Sequence, residues 1–434
     1  MTRTEERLTD ALGAAASRLR EETLRPLSVP PRRGRRSARW LAPIAATASV
    51  LLVIGVVVGL AGRLPGSGRA TSGGGVAAPH RYYIVTSILG TTTVRSTATG
   101  AVTATVPVPG RLNHGDNYRP FVASAADGTY YIAAFYRLNQ QRIYQFRLTG
   151  SGKISGFSPV RGGDLGKYHV TDAMAASQDG SRLAVGIATF RVDKYGEQEP
   201  RSDSDQIAVI RTSTGATSIW QGGMRALGRS FEVASLSWTS SGRELVVLGQ
   251  WCGAHAAFDH EICMVAKSSR PGAPSTMVPG PRAAEVWALN PASRGGQLDS
   301  GHLLLRQSAR YPYIAQALIS PDGSTITAVL LSGPVVKSKN QGPGLAPDRL
   351  SVQQISVATG KQQAVLYQRR MGATSAVNTV PDFLALVADG AGTHLMLNGG
   401  ICSGTCQSGF NGWIHGGRLI PLQPSDGRET GETW

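Results

Sequence analysis

Two patterns of apolar positions divide this chain. Between Trp40 and Gly62 the sequence runs for 23 positions without a charged side chain, and its second half is almost solid Val, Leu and Ile. As a helix rising 1.5 Å per residue it would span roughly 33 Å, enough for a bilayer core of about 30 Å. From Tyr82 onward no helical period of useful length appears. Short runs rich in Val, Ile, Thr and aromatic residues alternate with Gly, Asp, Asn and Pro turns, a spacing that predicts strands throughout.

The first pattern reads as a membrane anchor. Trp40 stands where an interfacial aromatic belongs, Pro43 falls in the first turn, and Leu51 and Val57 lie in the apolar run. Arg32, Arg33, Arg35, Arg36 and Arg39 immediately precede it. The first 39 residues carry ten Arg against five acids, whereas the stretch just after the span holds only Arg63 and Arg69. Positive residues stay on the cytoplasmic side, so the N-terminus is expected inside and residues 63–434 outside. A cleaved signal fits poorly, because the basic region is too long, the apolar core exceeds its usual length and no good cleavage site follows. The expected order is therefore a cytoplasmic tail (1–39) with a short amphipathic helix, a transmembrane helix (40–62) and a Gly/Ser-rich linker (63–79). An extracytoplasmic β domain (80–425) and a flexible C-terminus (426–434) follow.

The β region repeats itself. A strand, a turn ending in Asp-Gly or Ser-Gly and a second strand recur around Asp127-Gly128, Asp179-Gly180, Ser241-Gly242, Asp322-Gly323 and Asp389-Gly390. Gly takes the positive φ of such turns, and the Asp side chain bonds nearby backbone N–H groups. A second hairpin unit turns at Thr99-Gly100, Thr149-Gly150, Thr214-Gly215 and Thr359-Gly360. Two hairpins per repeat make a four-stranded sheet, and such sheets repeated radially are propeller blades. The stretch Ile319-Ser-Pro-Asp-Gly-Ser-Thr-Ile-Thr-Ala328 resembles the Ser-Pro-Asp-Gly repeat of TolB-like, WD-repeat-like β-propellers; the other copies keep only Asp-Gly or Ser-Gly. The resemblance implies an all-β fold of six blades, the first from Tyr82 to Pro107, or seven if Trp287–Gln307 holds another. It is specific for architecture and not for function.

Composition narrows the setting. The chain carries net +16, of which the tail supplies +5, leaving the outer part mildly basic without a dense Lys/Arg run; nucleic acid is not an expected partner. Arg far outnumbers Lys, and Gly and Ala abound, which looks like a GC-rich actinobacterial genome. In an oxidising compartment the four cysteines read as two loop-stapling disulfides, Cys252–Cys263 and Cys402–Cys406. The first loop also offers zinc ligands, with His255 and His260 between its cysteines, but the second pair has no neighbouring His, and that favours one structural role for both.

Catalytic signatures are missing. The acid-rich loop 193–205 lacks the spacing of a calcium loop, Gly150-Ser-Gly-Lys153 lacks the upstream Walker glycine, and no Gly-x-Ser-x-Gly elbow occurs. His80, His114, His169, His302, His394 and His415 are scattered along the chain. No catalytic residue, metal or cofactor is assigned from sequence. The leading expectation is a single-pass membrane protein displaying a propeller that binds or senses a protein or cell-envelope ligand. The runner-up is a propeller enzyme acting on cell-wall sugars or peptides, with acids and histidines gathered only by the fold. A third reading comes from the order of tail, span and outer β domain, which resembles membrane-bound anti-sigma factors of actinobacteria; the tail lacks their His-x-x-x-Cys-x-x-Cys signature.

Overall fold

A computed structural model describes residues 80–87, 91–109, 120–137, 140–167, 169–192, 198–200, 206–222, 231–252, 256–259, 262–267, 276–279, 282–311, 313–338, 342–345, 348–371, 383–389, 394–403, 405–422 and 429–433. The expected tail, membrane span and linker lie outside these residues. Among the described residues no helix is long and apolar enough to cross a membrane.

The strands open with β1 (Tyr82–Ser87), β2 (Thr92–Ser96) and β3 (Val102–Thr105). Blade one is β4 (Phe121–Ser124), β5 (Thr129–Arg137), β6 (Gln140–Leu148) and β7 (Ile154–Lys167). Blade two is β8 (His169–Ala176), β9 (Arg182–Val192), β11 (Gln206–Arg211) and β12 (Thr217–Gln221), with β10 (Gln198–Pro200) added to β9. Blade three is β13 (Phe231–Trp238), β14 (Leu245–Cys252), β18 (Arg282–Leu289) and β20 (His302–Arg306). It carries an inserted sheet of β15 (Ala256–Asp259), β16 (Ile262–Lys267) and β17 (Thr276–Pro279). Between β18 and β20, β19 (Gly295–Gln297) pairs in parallel with β12, and one 3-10 turn, Leu298–Ser300, follows. Blade four is β21 (Ile314–Ile319), β22 (Thr325–Ser332), β25 (Arg349–Ser356) and β26 (Gln362–Arg370), with an inserted hairpin of β23 (Val335–Ser338) and β24 (Gly342–Leu345). Blade five is β27 (Phe383–Ala388), β28 (Leu395–Ser403), β29 (Thr405–His415) and β30 (Arg418–Pro421).

The sixth sheet joins the two ends of the propeller. Its order is β3-β2-β1-β31, where β31 (Glu429–Thr433) comes from the C-terminal end and pairs antiparallel with β1, Ile84 facing Thr433 and Val85 facing Glu432. The fold is a six-bladed all-β propeller. Two expectations change. The segment 426–434, read as a flexible end, supplies the innermost strand of the closing blade, because β1 would otherwise present an open edge. Trp287–Gln307 holds the outer half of blade three and the β19 addition to blade two, not a seventh blade.

Pleating explains why the inner strands look continuously apolar. Each second strand is covered by a neighbouring blade on both faces, and its side chains alternate between them. On β14, Leu245 and Val247 pack into the cluster shared with blade two, while Val246 and Leu248 pack toward blade four. On β5, Tyr131 and Ala133 face blade two, while Tyr130, Ile132 and Ala134 face the closing blade. Val329 and Leu331 of β22 face blade five. Outer strands such as β3, β26 and β30 have no fully buried position. Six apolar clusters result, one per interface. The smallest among the described residues joins the closing blade to blade five through Tyr83, Val85, Met396 and Leu422.

The turns between first and second strands gather at one end of the ring and bond to one another. Ala126 N donates to Gln178 O, Arg182 Nη1 to Gly242 O, and Ser240 N to Pro321 O, linking blades one to four in sequence. The loops between second and third strands lie at the other end, with β10, the β15–β17 sheet, the β23–β24 hairpin and the extended β28–β29 tip. Of these, β10 touches β15 and β17 touches β24.

Removing residues 423–434 should expose the inner edge of β1 and cost several kcal/mol, the loss of a ladder of hydrogen bonds plus burial. Thermal melting of the truncated chain, with and without a peptide of those residues added back, checks this; an unchanged melting curve would show that β31 does not close the ring.

Candidate functional site: a His-Asp-His cluster beside the closing blade

The turn residues stand where their chemistry is used. Gly128, Gly180, Gly242 and Gly323 have φ of 78°, 67°, 62° and 75°, values that favour glycine. Asp179 Oδ1 accepts hydrogen bonds from Ser177 Oγ at 2.6 Å, Ser181 Oγ at 2.9 Å and Ser181 N at 3.1 Å. Asp322 is held the same way by Ser320 and Ser324, and Asp127 by Thr129 and by Arg147 Nη2 at 2.6 Å. The Ser177 hydroxyl, foremost, holds the Asp179 carboxyl below the usual carboxylate range, and Ser320 does so for Asp322. In blade one the positive-φ residue of the outer hairpin is Gly152, at 73°, two residues past the Thr149-Gly150 pair read from sequence.

Blade five departs from the repeat. The backbone bond that closes the inner hairpin runs from Ser177 N to Arg182 O in blade two, Thr239 N to Glu244 O in blade three and Ser320 N to Thr325 O in blade four. In blade five it runs from Asp389 N to His394 O at 3.0 Å. Asp389 therefore stands level with Ser177, Thr239 and Ser320, two places earlier in the turn than Asp179 or Asp322. Gly390 lies outside the described residues.

This register turns Asp389 onto two histidines. His394 Nδ1 lies 2.7 Å from Asp389 Oδ2, and His80 Nε2 lies 3.4 Å from the same oxygen. One ligand atom from each of the three residues falls within 4.8 Å of the others. The Asp389 side chain is 1% exposed and that of His394 9%, whereas His80 is half open to solvent at 50%. His80 stands two residues before the first residue of β1, at the turn end of the closing blade. Ring closure brings it beside blade five, and its carbonyl accepts a hydrogen bond from Thr97 Oγ1. Trp413 meets the His394 ring edge-on at 6.3 Å and stacks on His415 at 5.2 Å, fixing the imidazole's orientation.

Two imidazoles and one carboxylate can share protons as a hydrogen-bonded clasp or hold a divalent metal. Among the described residues neither a serine nor a cysteine nucleophile belongs to the cluster. Sequence reasoning noted both histidines and Asp389 without connecting them. The i, i+5 spacing of Asp389 and His394 across a hairpin was a usable signal; the third member needed the ring to close.

The sequence-assigned cysteines fall at the opposite end of the ring. Cys252 ends β14 opposite Arg282, Cys263 lies on β16 opposite Phe258, and Cys402 and Cys406 are directly paired in the β28–β29 ladder. Their side chains, His114, His255, His260 and most of the acidic loop 193–205 lie outside the described residues.

No protein-family model matches the chain, and no curated protein matches it. Among solved structures it is similar to an apocarotenoid oxygenase variant from Synechocystis, at 10% identity and a TM-score of 0.40, covering 77% of this chain and 70% of that one. It is also similar to the Cps50 (Swd1) β-propeller domain of Myceliophthora thermophila, at 11% identity and 0.34, covering 74% and 77%. The periplasmic gluconolactonase PpgL of Pseudomonas aeruginosa matches at 15% identity and 0.33, covering 79% and 99%. Likenesses this remote decide nothing about activity, and the propeller assignment rests on the sheet order itself.

Replacing Asp389 with Ala should destabilise the propeller by about 1–3 kcal/mol, the cost of leaving the buried His394 short of its partner. Asp389→Ser should cost less, since blades two and four use Ser at this level. Chemical denaturation of both variants tests the order; equal stability of Ala and wild type would remove the clasp's structural role.

For Asp179→Asn the expected cost at pH 7 is below about 1 kcal/mol, because the group is exposed and solvent screens it. The folded carboxyl titrates below its unfolded value, so its contribution is present above about pH 3.9 and is lost as pH falls through the folded value. Melting of wild type and variant across that range should converge in acid; a constant gap would refute the assignment.

Proposed function

We propose that this chain is a membrane-anchored propeller that binds or senses a protein or cell-envelope ligand outside the cell, without catalysing a reaction. One geometric observation supports this reading above the others. The chain enters the propeller at the turn end, through His80 and β1, and the insertions of blades two to five all emerge at the opposite end. The elaborated end of the ring is thus the end away from the point where the chain enters it. The insertions of blades two, three and four touch in series, forming one continuous arc. Long second-to-third-strand loops on a rigid ring are the usual place for recognition.

In this reading Cys252–Cys263 and Cys402–Cys406 are disulfides that stiffen the ligand-facing end. The directly opposed backbone of Cys402 and Cys406 suits a bridge across one ladder. The mildly basic outer part favours anionic envelope polymers. The excess of Arg over Lys and the abundance of Gly and Ala fit an actinobacterial source.

Topology mapping tests the proposal. Full-length protein should remain in the membrane fraction after alkaline wash, and protease added outside spheroplasts should digest the propeller while sparing residues 1–39. All four thiols should resist alkylation until reduced. A propeller protected from external protease, or recovered in the soluble fraction, would overturn it.

A further inference from the structure

We propose that His80, Asp389 and His394 form a site for one divalent transition-metal ion of the zinc class, which fastens the closing blade to blade five. The inference stands independently of where the protein resides. The donor set favours it: imidazole nitrogen and carboxylate oxygen suit zinc and its neighbours, whereas calcium and magnesium take all-oxygen shells.

The spacing is that of a compact ligand set. In a tetrahedral zinc site with bonds near 2.0–2.2 Å, ligand atoms lie roughly 3.3 Å apart. His80 Nε2 and Asp389 Oδ2 are 3.4 Å apart, and all three ligand atoms fall within 4.8 Å of one another. His394 Nδ1 and Asp389 Oδ2, at 2.7 Å, are at hydrogen-bond distance. An ion that displaces their shared proton needs only about half an ångström of separation, within the reach of small χ adjustments. Half of the His80 side chain is exposed, so solvent reaches that side of the site and water can complete the ion's shell.

The departure from the repeat points the same way. At the level where blades two, three and four place Ser177 and Arg182, Thr239 and Glu244, or Ser320 and Thr325, blade five alone among them places two metal-ligand types. The third ligand, His80, comes from the segment that leads into β1. The pair Asp389–His394 is buried and oriented beforehand, with the His394 ring set against Trp413; such fixed surroundings are typical of metal-ligating imidazoles. The location supplies a reason for a metal: among the described residues, this interface has the smallest apolar cluster in the ring. An ion bridging β1's approach to the blade-five hairpin would fasten the closing blade beside that small cluster.

Zinc titration of the chelator-stripped full-length chain in detergent tests the site, read by bound-metal stoichiometry and by melting. One equivalent should bind at micromolar affinity and raise the melting temperature by several degrees at about 100 times the Kd, while calcium and magnesium should not. His80→Gln, at a half-exposed side chain, and His394→Ala should each weaken binding at least about tenfold, with circular dichroism of each variant confirming the fold. The Cys252→Ser/Cys263→Ser double variant should bind as wild type does, which separates this site from the cysteine loop. Unchanged melting with zinc, binding retained in both histidine variants, or binding lost with the cysteine pair would each overturn the proposal.

Discussion

A blade of this propeller cannot bury its own faces. Each four-stranded sheet has two apolar surfaces and covers them only by meeting a neighbour on either side, so the ring stands when its last interface is made. The second strands show the constraint most directly. Leu245 and Val247 belong to one neighbour, and Val246 and Leu248 to the other, so the pleat of a single strand commits it to two interfaces at once. Without closure the interfaces on both sides of the break would face water. The strand that prevents this, β31, comes from the far end of the sequence and meets β1 in the closing blade.

That dependence explains where ring closure concentrates polar interactions. The turns between first and second strands are joined in series from blade one to blade four by two backbone bonds and one bond from the Arg182 guanidinium to a carbonyl. Toward the closing blade the carbonyl acceptors of those bonds give way to a carboxylate and two imidazoles. A buried carboxylate is tolerable only with partners close by, and Asp389 has both histidines within 3.4 Å. An apolar cluster with four buried members and this polar group lie between blade five and the closing blade.

The architecture was legible because its signals are local. Glycine at positive φ, an Asp that bonds the next backbone N–H and period-two apolar runs each act within a few residues, and Asp179-Gly180 and Asp322-Gly323 carry them in full. What escaped was non-local or disguised. Glu429-Thr-Gly-Glu-Thr433 looks like a polar tail, since its strand character comes from a partner at Ile84–Ser87 rather than from its own composition. Asp389-Gly390 imitates the other turn pairs as a dipeptide, yet the backbone bond to His394 sets the hairpin two residues out of step with that likeness. His80 is an ordinary isolated histidine until the ring brings blade five beside it.

The position of β1 has a mechanical consequence. It is not an edge strand: it lies between β31 and β2, and its N-terminal end is where the preceding chain attaches. A pull applied to the N-terminal end of β1 along the strand axis loads the hydrogen bonds to both partners in shear, so that they share the force. Had the chain joined the ring through an outer fourth strand such as β30, the same pull would peel bonds away one after another. The arrangement that closes the ring also gives its first strand two ladders, rather than one, to resist such a load.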